Sequence, residues 1–252
     1  MTSHRQRSKW LALTAAAVLL LVGSAYCFGW FDSLQSQLTD RFLTPKSAPS
    51  DIIIIDIDES SLAEIGQWPW SRDIHAELLN KIVSAKVVGF DVIFSEPSGD
   101  AEMDAAFAVS IVNFDGLVVL PQVIDEQSGM VRDPIEVLSS VSDLGFVNTK
   151  TDRDGIVRRV ELNRKEKLSF DQQLSFLDKK TIYNDSFFIS YYGPAKTFTT
   201  ISYIDVLNGK IPLSIFADKT LLVGASAAGL GDIFQTPFGA MSGVEIHANT
   251  CL

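Results

Sequence analysis

Along the chain the hydrophobic positions change rhythm twice. From Trp10 to Trp30 the stretch WLALTAAAVLLLVGSAYCFGW contains no Asp, Glu, Lys, Arg or His. At ~1.5 Å per residue such a helix covers the ~30 Å hydrocarbon layer, so the pattern predicts one transmembrane helix over 10–30. A short amphipathic stretch, FDSLQSQLTDRFL from Phe31 to Leu43, continues or caps it, and PKSAPS then breaks the chain. Beyond the break, short β-branched runs alternate with helical ones. Asp51–Ile57 (DIIIIDI) predicts a strand buried on both faces, the usual state in a parallel sheet. Ser71 as N-cap with Asp73 in the first turn predicts a helix through Ile74, Leu78, Leu79 and Ile82. Val87–Phe94, Asp104–Val112 and Leu117–Val123 continue as strand, helix and strand, a βαβαβ opening.

The second half is more broken. Leu144–Glu161 predicts two strands joined around Asp152-Arg153-Asp154-Gly155, since Asp-Gly between alternating runs signals a hairpin. A helix near Phe170–Leu177, a strand at Phe187–Tyr192, a short helix at Tyr203–Leu207, a strand at Thr220–Val223 and a final helix from Gly243 follow. The fold class expected is α/β: a mixed, largely parallel sheet flanked by helices, preceded by one N-terminal transmembrane helix.

Charge narrows the partners. The 252 residues carry 21 basic and 31 acidic side chains, a formal net charge of -10. The first 30 residues hold three of those bases, Arg5, Arg7 and Lys9, and no acid, so the body is more acidic than the whole. Such a body repels phosphate backbones and anionic headgroups, which excludes nucleic acid and a peripheral grip on anionic lipid. The three bases place residues 1–9 in the cytoplasm by the positive-inside rule, and the remainder outside the inner membrane. A cleaved signal peptide is the rival, with Gly23-Ser24-Ala25 as its cleavage site. Lipid attachment at Cys27 is disfavoured because Tyr26, not a small residue, precedes it. Cys27 and Cys251 are the two cysteines; one lies in the span, so no disulfide is expected between them.

Several motifs carry candidate chemistry. In IIIIDIDES, Asp56 and Asp58 leave the carboxyl end of a buried strand, where open α/β sheets place their sites. The motif resembles the first motif of haloacid-dehalogenase-like phosphatases, with Asp56 as nucleophile, and Ser226 would take the second role. The later acidic pair is missing after Gly231-Asp232, and the two aspartates are equally explained as caps of the following turn. Trp68-Pro69-Trp70-Ser71-Arg72 is a rigid aromatic loop entering a helix; it suits stacking on a ligand with Arg72 on a carboxylate. The structural alternative has both tryptophans plugging the sheet edge and Arg72 paired with Asp56, Asp58 or Asp91. Asp152–Gly155 lacks the later ligands of a calcium loop, and Gly224–Gly231 lacks the Lys-Ser or Lys-Thr of a phosphate loop. His4, His75 and His247 show no metal-ligand spacing; His75 is placed on an exposed helix face and His247 in packing. No cofactor and no metal is implied.

Taken in order, Asp40-Arg41, IIIIDIDESSLAEIGQWPWSR, VVGFDVIFSEP, GFVNTKTDRDGIVRR, LLVGASAAGLGDIFQTP and GVEIHAN resemble a CHASE domain of type 2, a sensing module associated with cyclases and histidine kinases. The resemblance covers about residues 38 to 252. It implies a ligand-sensing domain at 51–252, outside the cytoplasmic membrane, behind a juxtamembrane segment at 31–50. Such domains are followed by further spans and a cyclase, diguanylate cyclase, kinase or phosphatase; none lies before Leu252, so a fragment of a longer receptor or a truncated product is expected. A homodimer is expected, with a small-molecule or envelope ligand and the N-terminal helix in the membrane. The resemblance brings no catalytic residues. The ligand site expected is therefore Asp56, Asp58 and Asp91 at strand ends, Trp68, Trp70 and Arg72 beside them, and Asp154, Arg158 and Asp232 as partners. A periplasmic phosphohydrolase using Asp56 and an envelope docking partner are the alternatives.

Overall fold

The computed structural model describes residues 4–27, 29–164, 166–175, 186–227, 229–230 and 233–251. The apolar front is a helix, α1 (His4–Cys27), within which Gln6–Tyr26 is long and apolar enough to cross a membrane. The helix does not run on to Trp30 as the sequence pattern suggested. Gly29 takes a left-handed conformation, φ 66°, which glycine tolerates for want of a Cβ, and a separate helix, α2 (Trp30–Asp40), starts there.

The body then runs through β1 (Ile52–Ile57), α3 (Glu59–Ile65), α4 (Arg72–Lys81), β2 (Val87–Phe90), α5 (Ala101–Val112), β3 (Leu117–Ile124), β4 (Val131–Arg132), α6 (Glu136–Ser139) and β5 (Asp143–Phe146). After these come β6 (Arg159–Glu161), β7 (Asn163–Arg164), β8 (Lys167–Leu168), α7 (Phe170–Leu174), β9 (Ser186–Phe188), β10 (Thr199–Ser202), α8 (Tyr203–Leu207), a 3-10 turn at Leu213–Phe216, β11 (Thr220–Ala225), β12 (Ile233–Thr236), β13 (Gly239–Ser242) and α9 (Gly243–Thr250). In the main sheet β10, β1, β11, β2 and β3 lie side by side in parallel; β3 also pairs with β5 in parallel and with β4 antiparallel. This is the mixed, largely parallel sheet with flanking helices that the sequence rhythm predicted.

The four isoleucines show why β1 is central. Ile53, Ile55 and Ile57 point into one core with Leu78, Leu79 and Ile82 from the α4 region, Phe107 and Ile111 of α5 and Tyr203 of α8. Ile52 and Ile54 point the other way, to Phe170 and Leu174 of α7 and Val244 and Ala248 of α9. Both faces are covered, and each such side chain contributes ~2 kcal/mol of apolar burial. Strand periodicity sends Asp56 to the α9 face with Ile52 and Ile54. β11, from the far end of the sequence, pairs Ile53–Ile57 with Leu221–Ala225 and Val87–Phe90 with Thr220–Val223. It therefore separates the ends of β1 and β2.

Four local expectations change. β2 stops at Phe90 rather than Phe94: Asp91 N still donates to the Val223 carbonyl at 2.7 Å, and from Val92 the chain leaves the sheet. The reversal at Asp152–Gly155 is present, with Gly155 N on the Asp152 carbonyl at 2.9 Å and Asp152 N on the Ile156 carbonyl at 2.8 Å. Its two arms pair antiparallel at the single bridge Lys150–Arg159 and extend no further as a hairpin, because β5 joins the main sheet beside β3 while β6 pairs with β9. The strand expected over Phe187–Tyr192 is limited to Ser186–Phe188, and the helix expected to Leu177 is described only to Leu174.

Candidate functional site

The carboxyl edge of the sheet gathers most of the side chains singled out from the sequence, in two cavities on either side of β11. Asp58, just past β1, caps α3. It accepts from Ser61 N at 2.8 Å, Ser61 Oγ at 2.6 Å, Ser60 Oγ at 2.8 Å and Ser202 Oγ at 3.0 Å. Burial opposes its charge, but these hydrogen bonds outweigh burial and hold its pKa below the ordinary carboxylate range. Asp58 thus pins β1, α3 and the end of β10 together.

Asp56 has different company. Its Oδ1 accepts from Ser226 N at 3.0 Å and its Oδ2 from Ser226 Oγ at 2.5 Å. Burial raises its pKa, the Ser226 bonds oppose that rise, and the charges of Asp58 and Glu245 add to it. It lines a cavity of about 490 Å³ with Lys196, Ser242 and Glu245. Glu245 is itself engaged, closing a capping box on Ser242 and accepting from Lys196 N. Ser226 does meet Asp56, as the phosphatase resemblance required, but it occupies both carboxylate oxygens. Among the described residues no group of three or more His, Cys, Asp or Glu is placed to hold a metal.

The Trp68–Arg72 loop leads into α4 on the other side. Trp70 is buried, its Nε1 donating to the Gly66 carbonyl at 3.0 Å, with the Trp68 ring edge-on at 5.1 Å. Behind them His75 is fully buried, contrary to the exposed position expected, because α4 is packed between α5 and α8. Its ring lies among Trp68, Trp70, Phe90, Phe94, Phe107 and Tyr203, and its Nδ1 meets the Tyr203 hydroxyl at 3.0 Å. Burial, assisted by the Arg72 charge, pushes its pKa down to about 3, so it is neutral at pH 7.

Arg72 pairs with none of Asp56, Asp58 and Asp91. The α9-facing side of β1 takes Asp56 away from it, and α4 turns the guanidinium toward α5. There Nε lies 3.6 Å from Asp104 Oδ1, Nη2 donates to the Glu96 carbonyl at 3.1 Å, and the group sits 4.7 Å over the Phe94 ring. At 3.6 Å the pair attracts without a hydrogen bond, so Arg72 Nε and Asp104 Oδ1 are buried polar atoms without a hydrogen-bond partner among the described residues.

Between this loop and α9 lies a cavity of about 620 Å³, walled among others by Trp68, Arg72, Asp91, Glu96, Phe234 and His247. His247 is 5 % exposed; its Nδ1 lies 2.7 Å from Asp171 Oδ1, which also accepts from Thr250 Oγ1 at 2.5 Å. Burial works against its charge, but Asp171 and more distant Asp91 overcome it and raise the pKa to about 9. A charged imidazolium therefore forms part of the wall. Asp171 has no signature in the sequence, since only the packing of α7 on α9 brings it to His247.

Asp154 and Arg158 lie in neither cavity. All five guanidinium N–H groups of Arg158 are taken: Nε and Nη2 by Asp40 of α2 at 2.8–3.1 Å, Nη1 by Asp152 at 2.9 Å, and Nη1 and Nη2 by Asp154 at 2.9 Å. This cluster joins the juxtamembrane helix to the body. Asp232 lies outside the described residues.

The family model described as the CHASE2 domain matches residues 13–251. The chain belongs to the CHASE2 domain family. CHASE2 domains are extracellular sensory domains of signalling receptors and are not themselves catalytic. Among the described residues of this CHASE2 chain one helix, at the N-terminus, is long and apolar enough to cross a membrane, which fits a single-pass membrane protein. No curated protein and no solved structure matches the chain. The 620 Å³ cavity combines an aromatic wall, groups of both charges and a position at the carboxyl edge of a parallel sheet.

Proposed function

We propose that this chain is the ligand-sensing part of a bacterial inner-membrane receptor of cyclase, diguanylate cyclase or kinase type, and that it binds a small molecule in the cavity between the Trp68–Arg72 loop and α9. The observation that carries this reading is the cavity itself, about 620 Å³ in volume, within the range of small-molecule sites, and bordered by elements from both ends of the chain. A ligand there touches the loop before α4, the loop after β2 and the start of α9, so its binding biases their mutual arrangement. The receptor works as a homodimer, because a span such as α1 transmits little unless two protomers move against each other.

The test is thermal melting of the full chain in lipid nanodiscs against a metabolite panel. A ligand at 100 times its Kd adds about 2.7 kcal/mol, which moves Tm by about 5 °C or more for a domain of this size. Ile93 lines the cavity yet is exposed, so Ile93→Trp narrows the mouth without disturbing the core. The reading expects a ligand whose stabilisation disappears in Ile93→Trp. If no compound stabilises the chain, or the variant responds like the wild type, the cavity is not the sensing site.

A further inference from the structure

The charges around the large cavity restrict what it can hold, and the following inference rests on the reading of that cavity as the sensing site. Two cationic groups line it. His247 spends Nδ1 on Asp171, and its ring, nine-tenths buried, forms part of the wall. Arg72 is likewise nine-tenths buried; Glu96 supplies a carbonyl to Nη2, and Nε lacks a hydrogen bond. Asp104 lies too far to form one, at 3.6 Å. Each cation is thus held in place by the protein, Arg72 by Glu96, Asp104 and the Phe94 ring and His247 by Asp171, and each borders the cavity.

Two carboxylates, Asp91 and Glu96, line the same cavity. A carboxylate has about four acceptor positions, so one already bonded still receives an ammonium. A simple anion entering here is attracted by Arg72 and His247 but repelled by Asp91, Glu96 and the acidic body, whose chain has a net charge of -10. A simple amine meets the converse penalty from the two buried cations. A molecule with both charges avoids each repulsion, and like-charge contacts in a poorly hydrated site are a strong means of rejecting the wrong ligand. Trp68, half-buried on the wall, offers a face to an apolar side chain.

We infer that the cavity takes a zwitterion of the α-amino-acid type, its carboxylate on Arg72 and His247, its ammonium on the side of Glu96 and Asp91, and its side chain toward Trp68. The probe is the set of twenty L-α-amino acids, offered to the full chain in nanodiscs, with binding read by calorimetry and thermal shift. For the tightest binder, the same molecule without its amino group and the same molecule without its carboxylate are measured alongside. Both truncated analogues bind at least tenfold more weakly if the inference holds. His247→Gln weakens the amino acid and the amine-free acid together, while Glu96→Gln, at an exposed position that leaves the core untouched, weakens the amino acid and the carboxylate-free amine. Should His247→Gln fail to fold, the Glu96→Gln arm and the analogue series decide alone. Absence of binding by all twenty, or equal binding of either singly charged analogue, overturns the inference. If a ligand of another class binds and is lost in Ile93→Trp, only the zwitterion is refuted and the cavity remains the sensing site; if nothing is lost in Ile93→Trp, both fall.

Discussion

Replacing Arg158 by Met would remove the charge that three carboxylates share while keeping an unbranched side chain of similar reach. In the native chain the guanidinium is buried, and its five N–H groups meet Asp40, Asp152 and Asp154 at 2.8–3.1 Å. Arg158→Met leaves the carboxylates facing each other without a counter-charge, and breaking a buried pair in this way costs about 3–5 kcal/mol. Water reaches the carboxylates, whose side chains are 12–30 % exposed, so the lower end of about 3 kcal/mol applies. For a domain of this size that is a fall in Tm of about 6–12 °C, measured by circular dichroism of the full chain in nanodiscs at pH 7. The pH dependence gives a second check. The Arg158 hydrogen bonds hold the Asp154 pKa at about 2, against 3.8 when free, so its contribution is present above pH 4 and is lost as pH falls through 2. The gap between wild type and variant should therefore narrow from pH 4 to pH 2. Asp40→Asn separates the roles, because Arg158 keeps Asp152 and Asp154: the body's Tm should fall by only a few degrees, while amide exchange at residues 35–43 accelerates selectively. A Tm loss below 2 °C in Arg158→Met, or a gap unchanged by pH, would refute the reasoning.

Further expectations concern the interior. His247 has a pKa raised from 6.5 to about 9, so its pairing with Asp171 stabilises fully below pH 6.5 and fades as pH rises through 9. The wild type should lose about 3 kcal/mol across that window in a series of denaturant titrations, and His247→Gln should flatten the alkaline slope. His75 behaves oppositely: with its pKa lowered from 6.5 to about 3, it opposes folding as pH falls from 6.5 toward 3, and His75→Leu should make melting less acid-sensitive over that range. Gly145→Ala would put a Cβ 2.5 Å from Phe170 Cα, where α7 rests on β5, and backbone rather than a flexible side chain would have to yield. A loss of more than ~2 kcal/mol is expected, and an unchanged Tm would mean that the two elements are less closely packed. Trp70→Ala should cost about 3–5 kcal/mol by denaturant titration, since the ring is buried and its Nε1 bond to Gly66 is lost with it.

What could be seen in the chain alone was whatever a local rhythm encodes. Four consecutive isoleucines announced a strand covered on both faces, Ser71 and Asp73 marked the start of α4, and an uncharged apolar run marked the N-terminal helix. The order of motifs carried the family, because those blocks are contiguous segments. Gly29, by contrast, ended that helix through a single backbone dihedral that hydropathy does not register. The partners of the site were not legible for the same reason of distance. Asp56 and Arg72 are separated in sequence by α3 and the loop that follows it, yet strand alternation and the insertion of β11 turn one toward Ser226 and leave the other with Asp104. Asp171 reaches His247 across 76 positions, and Asp40 reaches Arg158 across 118. Local propensity decides which segments become strands and helices; which charges meet depends on the order in which β10, β1, β11, β2 and β3 lie side by side. That order is set by burying both faces of the sheet at once, a condition on the whole chain that only the tertiary structure expresses.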